Sequence, residues 1–181
     1  MVTYEFLLQN QFIRPLETVE KEKYALFHQQ NYTIDLASTL QFLELQNAKY
    51  TVIAGYYAVL NATLWYFAKY YNLKISEADT GVHTNCLIVL EKFVTQAPLK
   101  QKIITLLTKA RTEFVSFTSL KQNPEQTLPI LLKQSSDKRK RYTYYSSERS
   151  LPQQTDQLKE AQLFIETVVK PYIYILEHLP C

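Results

Sequence analysis

The sequence predicts an all-α protein, and three observations carry that expectation. Apolar residues recur at helical spacing along most of the chain, no alternating strand pattern of useful length is present, and only Gly 2 and Pro 7 interrupt 181 residues. A chain of this length suits one domain with a real core, so residues 1–181 are read as a single helical domain. No internal repeat is visible.

Each element follows from local pattern. "TYEFLLQNQFI" before Pro15 and "LETVEKEKYALFHQQ" after it read as helices, with Pro15 at a helix start or kink. "IDLASTLQFLELQ" brings Leu36, Leu40 and Leu43 into register as a third helix, joined to the next by at most a short break. "YTVIAGYYAVLNATLWYFAKYY", Tyr50 to Tyr71, carries no charge between Lys49 and Lys69 and so raises the question of a membrane span. About 20 apolar residues would suffice to cross. Asn61, Thr51, Thr63 and the tyrosines argue instead for a core helix, because an Asn in hydrocarbon needs a partner that a lone span cannot supply. Its two apolar stripes, Val52-Tyr56-Val59-Thr63-Tyr66-Tyr70 and Ile53-Tyr57-Leu60-Leu64-Phe67-Tyr71, predict burial on most sides, with Gly55 admitting a neighbouring backbone. A helix so apolar also predicts a second subunit, hence a homodimer.

Beyond the polar turn "KISEADTG", the segment "NCLIVLEKFV" is a short apolar helix that stops near Pro98. "LKQKIITLLTKARTEFVSF" then repeats Ile103, Leu107, Ala110, Phe114 and Phe117 along one face. "KQNPEQTLPILLKQSSDK" reads as a long connection. Ser150 with Gln153 resembles a capping box, and Leu158, Ala161, Ile165, Val168 and Tyr172 run down a last helix that Pro171 should kink or end.

Composition removes several function classes. With two glycines, a phosphate-cradling glycine loop has no backbone to build on, which excludes P-loop and dinucleotide folds. Cys86 and Cys181 are far apart and have no partner at metal-ligand spacing, so neither a disulfide framework nor a metal site is predicted, and a reducing cytoplasm fits. The opening "MVTYEFLLQNQFIRP" has no basic n-region and carries Glu5 and Gln9 where a signal peptide is apolar. No cofactor and no membrane attachment are expected.

Charge is unevenly placed. Residues 131–150, "LLKQSSDKRKRYTYYSSERS", hold six basic side chains against Asp137 and Glu148, a net +4 in a chain of total +3, so the remainder is −1. Lys138, Arg139, Lys140 and Arg141 run directly into Tyr142, Tyr144 and Tyr145, with Arg149 close behind. Cations neutralise phosphates and planar rings stack on bases, which is the chemistry of single-stranded nucleic-acid binding. The plain alternative is a solvated surface run.

Catalytic signatures are sparse. His28, His83 and His178 show no zinc-binding spacing, and no GxSxG is present. His83, in "TGVHTN", which reads as a loop before a helix, is the histidine placed to cap, to contact a partner or to titrate near neutral pH. The acidic pairs Glu20/Glu22 and Glu77/Asp79 lie on polar segments with nothing to raise a carboxyl pKa for acid/base work.

"GYYAVLNATLWYFAKYYNLKI", "VHTNCLIVLEKFV", "KRKRYTYYSSERS" and "QTDQLKEAQLFIETVV" together resemble the HEPN superfamily of prokaryotic all-α proteins. The resemblance rests on Tyr56, Tyr57 and Ala58, then His83, then Arg139 or Arg141 with Tyr144, then Ala161 and Phe164, and it covers residues 35–176. It implies a HEPN-like up-and-down helical bundle with an extra N-terminal helix, dimerisation, and in many members a metal-independent ribonuclease built on an R-x-x-x-x-H motif. This chain departs from that motif, since no histidine follows Arg111, Arg139 or Arg141 at its spacing. Members without it are implied to act as RNA- or nucleotide-binding scaffolds, or as partners of a nucleotidyltransferase in toxin–antitoxin pairs.

Two readings follow. The first is a non-catalytic dimer that holds RNA or nucleotide phosphate through Lys138, Arg139, Lys140, Arg141, Tyr142, Tyr144, Tyr145 and Arg149. The second is a ribonuclease with a rearranged site, with an arginine on the phosphate and His83 or Tyr144 carrying the proton. A purely structural dimer is the bland third.

Overall fold

A computed structural model describes residues 2–76, 81–119 and 151–179, and over these the chain is helical apart from one two-stranded ribbon. The all-α class is therefore as expected. Helix α1 (Tyr4–Gln9) is capped by Thr3, whose hydroxyl accepts from Phe6 N at 3.2 Å. The helix expected to reach Ile13 stops at Gln9, because Gln11 turns into the left-handed region at φ 57°. Strand β1 (Ile13–Pro15) then pairs antiparallel with β2 (Leu73–Ile75), Ile13 opposite Ile75. Pro15 thus ends a strand instead of starting or kinking a helix, a position where its missing N–H is tolerated.

The second and third expected helices are one. Helix α2 (Thr18–Glu44) runs 27 residues unbroken, since nothing between Gln30 and Ile34 interrupts it. Gln46 at φ 55° reverses the chain, and Asn47 caps helix α3 (Ala48–Tyr71) by accepting from Tyr50 N. Asn72, at φ 55°, ends α3 in the left-handed conformation that asparagine tolerates better than most residues.

Helix α3 is the centre of the bundle. Sixteen of its 24 residues are buried, and Val52, Val59, Tyr66 and Phe67 are wholly enclosed. The enclosure is supplied by α2, α5 (Ala97–Ser119) and the last helix of the same chain. The burial predicted for Tyr50 to Tyr71 is met, and no second subunit is needed to cover it. Each large apolar side chain removed from water contributes roughly 1.5–3 kcal/mol. Among the described residues no helix is long and apolar enough to cross a membrane.

Helix α4 (Val82–Phe93) packs on α5, whose predicted stripe lies inward: Ile103, Leu107, Ala110 and Phe117 are buried and Phe114 is half-buried. The last helix consists of α6 (Leu151–Phe164), a π turn (Ile165–Val169) and α7 (Lys170–His178). Pro171 neither ends it nor stands without compensation. In α register its ring would press on the Thr167 carbonyl, and the wider π turn, with Lys170 N donating to Ile165 O, relieves the crowding. Ala161, Ile165, Val168 and Tyr172 are buried as predicted, whereas the proposed capping residue Ser150 and the connection at 121–138 lie outside the described residues.

Two sets of polar side chains inside the bundle pair with one another. Thr63 donates to Val59 O at 2.8 Å, so its one proton is committed and Tyr172 OH must donate to Thr63 Oγ1 at 2.7 Å. Asn61 finds the partners its position demands in half-buried Asp35 and buried His28: its Nδ2 donates to Asp35 Oδ2 at 2.9 Å and its Oδ1 lies 2.8 Å from His28 Nδ1. The amide orientation fixes the histidine tautomer, with the proton on Nδ1.

Candidate functional site

Of the predicted site residues, Lys138, Arg139, Lys140, Arg141, Tyr142, Tyr144, Tyr145 and Arg149 lie outside the described residues. The described residues stop at Ser119, the end of α5, and resume at Leu151. His83 is the one predicted site residue whose surroundings are described.

His83 does not sit in a loop. It is the second residue of α4, after the N-cap Gly81 and Val82, and it is only 3% exposed. The polar string "TGVHTN" reads as a loop, yet "VHTN" is the first turn of the helix and its His83 and Asn85 face inward. Asn85 is 4% exposed.

Around His83 stand residues from two other helices, α3 and α5. The Tyr56 ring of α3 lies 6.1 Å from the imidazole, centroid to centroid, and stacks on Phe114 of α5 at 4.4 Å. Tyr57, 44% exposed, meets the same Phe114 ring edge-on at 6.0 Å. One turn before Phe114, exposed Arg111 is near enough for its charge to act on both His83 and Tyr56. Among the described residues no carboxylate forms an ion pair with Arg111.

The electrostatics follow from this geometry. Burial, and secondarily Arg111, lower the His83 pKa to about 4, so the imidazole is neutral at physiological pH. Burial raises Tyr56, while Arg111 pulls the other way. Two side-chain atoms in this first turn are buried without a hydrogen-bond partner, His83 Nδ1 and Asn85 Nδ2. Native proteins rarely leave such groups unmatched, since each costs about 1–3 kcal/mol.

Sequence reasoning singled out His83 and missed Asn85, Arg111 and Phe114 as its neighbours. Arg111 was visible only as an arginine with no motif histidine after it. Its proximity to His83 arises from α4 packing on α5. Of the other histidines, His28 is held by Asn61, and His178 Nδ1 donates to Tyr174 O at 2.8 Å. Among the described residues no group of three or more His, Cys, Asp or Glu side chains could hold a metal ion.

Compared with known proteins, the chain matches no family model, no curated protein and no solved structure.

Proposed function

We propose that this protein is a non-catalytic, HEPN-like dimer that binds RNA or nucleotide phosphate through Lys138, Arg139, Lys140, Arg141, Tyr142, Tyr144, Tyr145 and Arg149. A toxin–antitoxin or defence setting in the cytoplasm, with a nucleotidyltransferase as partner, belongs to the same proposal. The observation that carries it is the segregation of charge: residues 131–150 hold a net +4 while the rest of the chain is −1. Such a cluster gains affinity for phosphates by releasing counterions, and the interleaved tyrosines supply faces for bases.

The surroundings of His83 favour binding over catalysis. A proton carrier for 2′-hydroxyl attack works best with a pKa near the working pH and needs to reach its substrate. His83 is enclosed, and its pKa of about 4 leaves it a weak base. A second subunit has a surface available on α2, where Val19, Leu26, Phe27 and Ile34 are each more than half exposed.

The test is single-stranded RNA binding measured across a salt series. The logarithm of affinity should fall with the logarithm of salt at about −0.7 per neutralised phosphate. Replacing Arg139 and Arg141 with Ala should flatten that slope by about one to two units, and Tyr144→Ala should cost roughly 1–3 kcal/mol. Unchanged affinity and slope in the arginine variant would reduce the segment to a solvated face and leave the purely structural dimer. Cleavage of the RNA without metal, lost in His83→Ala, would promote the ribonuclease instead.

A further inference from the structure

We propose that the outer face of α2 seats a second copy of this chain, the two α2 helices packing antiparallel about a two-fold axis at Thr33 and Ile34. The inference rests on the dimer proposed above and gives it an interface. The basic run at 138–149 takes no part in it.

The polarity of α2 is reversed for a surface helix. Its fully buried residues are His28, Tyr32 and Thr39, each with a polar atom to satisfy, while Val19, Leu26, Phe27, Ile34 and Leu40 stand exposed. Such a helix ordinarily turns its apolar side chains to the core. The exposed set is also ordered: Leu26 follows Val19 by seven residues and precedes Leu40 by fourteen, and Ile34 follows Phe27 by seven. Two neighbouring rows of a seven-residue repeat make one continuous strip, the pattern that keeps two helices in contact along their length at a crossing angle of about 20°. Exposed apolar surface that is contiguous in this way marks an interaction site.

The charges select the occupant. Between Lys23 and Glu44 the only Asp, Glu, Lys or Arg is Asp35, which accepts from Asn61 of α3 on the inner side of the helix. Lys23 and Glu44 are both exposed, and neither has an ion-pair partner among the described residues. A neutral strip with a cation at one end and an anion at the other fits a second copy running in the opposite direction. Antiparallel pairing sets each Lys23 against the partner's Glu44, whereas parallel pairing sets like charge on like. The apolar register agrees, because the midpoint of Lys23 and Glu44 falls between Thr33 and Ile34, and so does the midpoint of Phe27 and Leu40. One two-fold axis answers both, and it makes the contact self-complementary. Glu22 lies about 100° round the helix from Lys23, at the margin of the strip.

Sedimentation equilibrium of the full chain should show a dimer at about micromolar concentration. Ile34→Asp, at a position exposed in the single chain, should leave the circular dichroism spectrum intact and weaken the dimer about a hundredfold. Lys23→Glu and Glu44→Lys should each weaken their own homodimer about tenfold, since each places two like-charged contacts across the axis. An equimolar mixture of the two, one of them isotope-labelled and counted by native mass spectrometry, should favour the heterodimer over either homodimer. With Cys181 replaced by Ser, Thr33→Cys copies should be joined across the axis by a short bismaleimide, and Glu44→Cys copies, roughly 30 Å apart, should not. A dimer indifferent to Ile34→Asp, a mixture with no preference for the heterodimer, or joining at 44 as readily as at 33 would overturn this interface and leave the dimer on another face. A monomer at every concentration would overturn the interface and the dimer together. Retention of RNA by the arginine run is measured separately, so it can stand or fall alone.

Discussion

Gly55 of α3 and Phe164 of α6 meet with no room for a methyl group between them: a Cβ at 55 would lie 2.8 Å from Phe164 Cε1 and 3.1 Å from Val169 Cγ2. The close approach is to a side chain, where the sequence predicted a backbone. Phe164 is 2% exposed and cannot swing aside into solvent. Gly55→Ala would gain about 1 kcal/mol in helix propensity but incur roughly 1–3 kcal/mol of overpacking, so the overpacking should win. The urea midpoint should fall by an amount equivalent to the difference, at most about 2 kcal/mol. Adding Phe164→Leu should recover part of that loss, because the two sites share one contact. A more stable Gly55→Ala variant would show that the helices separate more easily than their packing implies.

How much of this could be read from the sequence depends on distance along the chain. The stripe Ile103-Leu107-Ala110-Phe117 was legible because helical period alone determines which residues share a face. The need of Asn61 for a partner was legible as well, although its partners on α2 were not, since they lie 26 and 33 residues away. The ribbon of β1 and β2 escaped notice because three-residue strands are too short to show alternation. His83 was misplaced for a related reason. A polar string looks like a loop, and only the packing of α4 shows that His83 and Asn85 point inward. The candidate site was therefore visible as one residue, and Arg111 joined it through tertiary structure.

Thr63 and Tyr172 form a buried pair whose donor order predicts an asymmetry. Thr63 has given its proton to Val59 O, so Tyr172 OH is the donor between them. Tyr172→Phe should cost only about 1 kcal/mol, the net worth of one hydrogen bond, because Thr63 remains satisfied. Thr63→Val leaves a fully buried hydroxyl without an acceptor and should cost roughly 1–3 kcal/mol. Chemical denaturation of the two variants checks the order. Equal losses would mean that the Tyr172 hydroxyl finds another acceptor.

Asp35 predicts a pH effect opposite to that of a salt-bridged acid. Burial raises its pKa above the ordinary 3.8, and the Asn61 hydrogen bond offsets this only in part. The native state therefore binds the Asp35 proton more tightly than the unfolded chain does. Ionisation opposes folding, and the group's contribution declines as pH rises from 3.8 through its native pKa. Asp35→Asn keeps an acceptor for Asn61 and removes the ionisation. Relative to the unmodified chain it should gain most near neutral pH, and the difference should shrink toward pH 3.8. Stability curves from pH 3 to 8, on scales set by ordinary carboxyl values, decide the matter. A difference that grows on the acid side would reverse the assignment.

His83 gives the sharpest titration. Desolvation is the larger cause of its lowered pKa and Arg111 the smaller, so the native state holds the imidazole neutral down to about pH 4 while the unfolded chain protonates near 6.5. The sign follows directly. Above 6.5 both states are neutral and the contribution to stability is fully present; between 6.5 and about 4 the unfolded state gains protons that the native state refuses, and stability falls. His83→Gln should flatten the acid limb of the stability curve in that window and leave the curve above it unchanged in shape. Arg111→Met should raise the native pKa by less than half of its total displacement, since the charge is the lesser cause. NMR titration of the imidazole measures both effects. A His83 that titrates near 6.5 in the folded protein would show that water reaches the ring, and with it the case for a neutral, poorly basic histidine beside Arg111 would fall.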